Sequence, residues 1–202
     1  MSISSYINTT FTVTFTKPLP TSRTDNNDVS TRDAAIALLH DHPSVLTLNP
    51  LVVRYERVAV DSNADAAAAA AAASSPPRAA SSSPRETYLV WDSISYIPGT
   101  HLWDGELGFR AEFEDTPDGT TAAVVAPLGF RSRVEWRIVR DDGGGDGGAG
   151  AGWRAEESVT AACPWGLRWF VEGTMRRAHE VIMGRFVQRV GEAVGASRGL
   201  EG

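Results

Sequence analysis

The chain has 202 residues, enough for one domain of ordinary size, and its 42% hydrophobic and 22% charged residues are globular in character. A net charge of −6 argues against a nucleic-acid-binding surface, which needs clustered Lys and Arg on a basic background. The one cysteine, Cys163, allows no intrachain disulfide and no multi-cysteine metal site. The N-terminal stretch lacks the basic start and apolar run of a signal peptide, and no apolar segment approaches bilayer length, so the expectation is a cytoplasmic protein without stable membrane insertion.

Phe11, Val13 and Phe15 alternate with threonines, the period of a half-buried strand, which Pro18 and Pro20 end. Ser30 and Asp33 open a helix in the manner of a capping box, and Ala34, Ala35, Ile36, Leu38 and Leu39 carry it to the break at His42-Pro43. Pro43 suits the first turn of a second short helix reaching about Leu46. His40, Asp41 and His42 suggest a metal site only superficially, because histidines two apart on a helix diverge and no third ligand is in view. The expectation there is no metal.

A strand follows from Leu51 to Val60, then an Ala/Ser/Pro-rich insertion over 61–84, read as a disordered or loosely helical loop. Tyr88–Tyr96 is the next strand, ending at Pro98-Gly99. In the strand after it, Gly105, Leu107, Phe109, Ala111 and Phe113 share one face, while Glu106, Arg110, Glu112 and Glu114 share the other. Pro117-Asp118-Gly119 makes a hairpin turn, and Thr121–Ala126 returns until Pro127-Leu128-Gly129 interrupts it. Val134, Trp136 and Ile138 alternate with Arg133, Glu135 and Arg137, which either face solvent and pair with acids such as Glu112 or, with the phase reversed, bring Arg133 or Glu135 to the pocket. The glycine-rich 141–152 is a flexible loop without the strand–loop–helix context of a phosphate cradle.

A last strand runs from Trp153 to about Cys163. After Pro164, Val171, Met175, Ala178, Ile182 and Phe186 recur at helical spacing, predicting an amphipathic helix from about Trp165 to Val194 and a frayed tail over 195–202. Antiparallel strands with one apolar face need a cover, and only this helix is long enough to supply it. The predicted fold is α+β: a helix-grip domain over 7–194, with a curved antiparallel sheet of about seven strands on a long C-terminal helix and two short helices after the first strand.

That element order resembles the START-like (SRPBCC) superfamily. More locally, the chain is similar to a fungal family of START-like proteins of unknown function. The segments that carry the resemblance are Asn49-Pro50-Leu51-Val52, Ile94-Ser95-Tyr96-Ile97-Pro98-Gly99, Ala126-Pro127-Leu128-Gly129 with Trp136, Glu157 before Cys163, and Phe170-Val171 leading to Ala178-His179. Pro164 departs from the pattern, since similar proteins tend to carry Asn after the cysteine. The resemblance implies a concave interior of the kind that in the wider superfamily carries lipids, binds hormones or cyclises polyketides, with no cofactor.

On this reading Trp91, Tyr96, Trp103, Phe109, Phe113, Trp136, Met175 and Ile182 are candidate lining residues for a small hydrophobic molecule. The alternative is a packed core with no cavity. Glu157 is the sharpest candidate for chemistry. If it shares the face of Ala155, Val159, Ala161 and Cys163, it is a buried acid or base; a bulge or one-residue slip turns it to water. His179 stands toward one flank of the helical stripe, either a proton shuttle at the cavity mouth or a boundary residue held by backbone. His101, beside Trp103, would sit at a loop rim. Cys163 is either a nucleophile or a small apolar core residue. Three functions remain open: a carrier of a lipid-like or polyketide-like molecule, a cofactor-free cyclase, isomerase or dehydratase using Glu157 and His179, and a scaffold without ligand.

Overall fold

The computed structural model describes residues 8–20, 28–58, 84–95, 104–141 and 152–199. Tyr96, His101 and Trp103 lie outside the described residues, as do the biased stretches 61–83 and 142–151. Seven strands form one curved antiparallel sheet: β1 (Asn8–Pro18), β2 (Val52–Val58), β3 (Glu86–Ser95), β4 (Asp104–Thr116), β5 (Gly119–Val125), β6 (Arg131–Asp141) and β7 (Gly152–Pro164). Their order across the sheet is β1-β7-β6-β5-β4-β3-β2, so every neighbouring pair except β1–β7 is consecutive in the chain. Three helices complete the domain: α1 (Asp28–His40), α2 (His42–Leu48) and α3 (Arg168–Gly199). This is the α+β helix-grip architecture.

The faces follow from side-chain alternation. Ala111 and Phe113 of β4, Trp136 and Ile138 of β6, and Ala155, Val159, Ala161 and Cys163 of β7 are buried on the concave side. The charged residues that alternate with them, Glu157 excepted, lie on the convex side. There Arg133 pairs with Glu135 at 2.9 Å and Arg110 with Glu112 at 3.0 Å, so each arginine finds its acid on its own strand. Residues two apart on one strand share a face, which lets these pairs form within a strand. Gly119 closes the β4–β5 hairpin against β6, where a Cβ would stand 2.1 Å from the Trp136 carbonyl oxygen.

The His40-Asp41-His42 triplet divides into three separate tasks. Asp41 caps α2, accepting hydrogen bonds from the backbone N–H and hydroxyl of Ser44. His40 Nε2 lies 3.0 Å from the Gly119 carbonyl. His42 is buried between two carboxylates, with Nδ1 2.9 Å from Glu86 and Nε2 2.9 Å from Asp115, and its ring stacks on Phe113.

Over the concave side lies α3, with Met183, Phe186 and Val190 fully buried. Two arginines tie it to α2: Arg185 donates to the Leu48 carbonyl and Arg189 to the Ser44 carbonyl, each at 3.1 Å. The Leu48 carbonyl, at the C-terminus of α2, lacks an intrahelical partner, which is why a guanidinium docks there. The helix begins after a single turn of tighter helix at Trp165–Leu167 and continues through Gly199, past the Val194 end predicted from the apolar stripe. Residues 195–199 contain no proline to stop it.

Candidate functional site

Between α3 and the sheet lies a cavity of about 560 Å³. Of the candidate lining residues, Phe109, Phe113, Trp136, Met175 and Ile182 border it. Trp91 does not. Tyr88, Val90 and Asp92 take the concave face of β3, so alternation turns Trp91 to the convex side, where Arg54 lies 3.8 Å above its ring. Leu128, Leu167 and Trp169 also line the cavity while being exposed themselves, which places its mouth between the 127–129 turn and the start of α3. Trp165 and Trp169 are each 75% exposed at this end.

Glu157 faces inward and is 1% exposed. Its register neighbours are Phe15 on β1 and Trp136 on β6, so aromatic rings flank the carboxylate on both sides. The bulge or slip that would turn it to water does not occur; β6, β7 and β1 pair without interruption through this position. From α3, His179 reaches down with Nδ1 2.6 Å from Glu157 Oε1, and its ring stacks on Phe15. His179 is therefore held by a side chain of the sheet, not by backbone. Burial pushes the Glu157 carboxyl above the usual carboxylate range, and the nearby imidazole and the Trp136 indole offset this only in part. Glu157 Oε2 is buried and makes no hydrogen bond.

A second acid lines the same cavity. Asp92 sits between Val52 and Leu107 in register on β2 and β4, 9% exposed. Burial pushes it up to about 6, against the opposing effects of Asn49 and His179. Asn49 Nδ2 lies 3.5 Å from Asp92 Oδ2, while Oδ1 is buried without a partner. Sequence reasoning misses Asp92, because the apolar run Tyr88–Trp91 does not choose a face for β3. Cys163 also borders the cavity, fully buried, and burial pushes its thiol up despite Arg168. That is the environment of a small apolar residue rather than a poised nucleophile.

The described residues thus bring two carboxylates and one imidazole to a mostly apolar hollow, and no Lys or Arg among them lines it. Residues 8–192 match the domain of unknown function DUF7053. The chain belongs to this family. The matched span runs from β1 through most of α3, so all the elements that build the cavity fall within the DUF7053 domain. No curated protein matches the chain.

Proposed function

We propose that this protein binds or carries a small hydrophobic molecule in the hollow between α3 and the sheet, in the manner of START-like proteins. The observation that carries the reading is the cavity itself. Its volume of about 560 Å³ falls within the range of small-molecule sites, about 300–1,000 Å³, and its lining is mostly apolar with a few convergent polar groups. Native cores close-pack, so a hollow of this size is a loss of stability that a guest would restore. The test is native mass spectrometry of the protein purified from its own host, followed by extraction. A discrete adduct that disappears on denaturation is the expected result. Apoprotein alone, together with failure of the folded protein to bind any apolar fluorescent probe, would refute the reading.

One observation favours a second reading, a cofactor-free cyclase, isomerase or dehydratase. A buried carboxylate joined to an imidazole can act as an acid–base pair, because desolvation moves the acid toward the range where proton transfer near neutral pH is efficient. Turnover of a hydrophobic intermediate that is lost in both Glu157→Gln and His179→Ala would support it; turnover unaffected in both would exclude this pair.

A further inference from the structure

The polar atoms of the cavity are unbalanced. Asp92 Oδ1 and Glu157 Oε2 are both buried in its wall, and neither has a hydrogen-bond partner. Both side chains are more than nine-tenths buried. Native interiors rarely leave such atoms unpaired, since each forfeits its hydration without return. The other side chains with polar hydrogens at the wall are Asn49, Thr120, Ser132, Trp136, Thr174, His179 and the Cys163 thiol, and the Trp136 indole lies near enough to Glu157 to favour its ionised form without satisfying Oε2. Of these, Thr120 already donates to the Glu114 carbonyl, Asn49 leans on Asp92 Oδ2, and His179 serves Glu157 Oε1. Among the described residues no arginine or lysine lines the hollow to neutralise an acid on a guest.

Resting on the cavity-binding reading, we infer that the ligand is an apolar molecule bearing hydrogen-bond donors, hydroxyl or amine nitrogen, which satisfy Asp92 and Glu157, and that carboxylate and phosphate ligands are rejected. Asp92 is on β3 and Glu157 on β7, four strands apart in the order of the sheet. Their separation sets two anchoring points at different places along the guest. An anionic head would meet unpaired carboxylate oxygens in a medium that screens charge poorly, so discrimination comes from repulsion as much as from attraction. Fatty acids and phospholipids are therefore poor candidates; polyphenols, sterol-like alcohols and hydrophobic amines share the required chemistry.

The experiment compares pyrenemethanol, pyrenemethylamine and pyrenecarboxylate, one ring system with three heads, by fluorescence titration at mildly alkaline pH. The alcohol or the amine should bind at least about tenfold tighter than the carboxylate, the scale expected when buried polar groups are left unpaired or opposed. The tighter of the two identifies a neutral or a cationic donor. Asp92→Asn and Glu157→Gln should each narrow the gap between the best donor and the carboxylate. Carboxylate binding equal to or tighter than that of both donors in the unmodified protein overturns the inference while leaving the cavity reading intact. Absence of binding by all three overturns the cavity reading and the inference with it.

Discussion

Placing an aspartate where Asp92 stands costs the fold free energy that an amide would not. Its carboxyl has an ordinary value of 3.8 and is pushed up to about 6, so the unfolded chain ionises first as pH rises. Between these values the folded state holds more protons than the unfolded one, and stability falls with increasing pH. Above about 6 the penalty is complete and constant; below 3.8 it is absent. Two units correspond to at most about 3 kcal/mol. Asp92→Asn should therefore be more stable than the unmodified protein by about 1–3 kcal/mol at neutral pH, with the advantage shrinking as pH falls toward 4. Urea denaturation at several pH values checks this. An offset that stays constant across the window would show that Asp92 does not titrate there. Glu157 is legible as a candidate because β7 alternates strictly and its flanking alanines and valine mark one face. Asp92 is not, because an acid inside a strand reads first as a solvent residue, and the apolar run Tyr88–Trp91 does not choose a face to correct that.

Parity also decides which elements are legible in the sequence and which are not. From Gly105 to Glu114 of β4 and from Arg133 to Ile138 of β6 apolar and charged residues separate by position, and the structure places Ala111, Phe113, Val134, Trp136 and Ile138 on the buried face. In β3 the large apolar residues Tyr88, Leu89, Val90 and Trp91 are consecutive, so composition alone does not choose a face, and the expectation for Trp91 falls on the wrong one. Hairpin geometry carries its own constraint at Gly119. A side chain there would collide with the backbone of β6, which cannot withdraw without breaking the β5–β6 ladder. Gly119→Ala should lower stability by about 2–4 kcal/mol. Gly129, at φ +79 with nothing within 4 Å of where a Cβ would stand, should lose only about 1 kcal/mol as alanine, from its left-handed backbone. Denaturant midpoints of the two variants compare the effects directly. Similar losses in both would mean that β5 and β6 yield more readily than their pairing suggests.

Across the whole molecule, α3 is clamped at one end and open at the other. From its middle onward it is buried through Met183, Phe186 and Val190 and tied by Arg185 and Arg189 to α2. Its first turns border the mouth, where Trp169 is exposed. The stretch that ties the helix to α2 is thus distinct from the stretch that walls the hollow. This separation yields a test that does not depend on knowing the ligand. Ala178 lies on α3 at the cavity wall, and a phenylalanine there would project into space that no protein atom occupies. Filling a hollow recovers contacts, whereas crowding a packed core costs about 1–3 kcal/mol. Ala178→Phe should keep or raise the unfolding temperature and weaken binding of a hydrophobic probe by at least about tenfold, since the probe and the new ring compete for one volume. A ligand that stabilises the unmodified protein by mass action should fail to stabilise this variant. If Ala178→Phe instead unfolds at markedly lower temperature, the space beneath α3 is smaller than a ring; if it stays folded and binds the probe undiminished, the probe sits elsewhere and the interior has no claim to be the binding site.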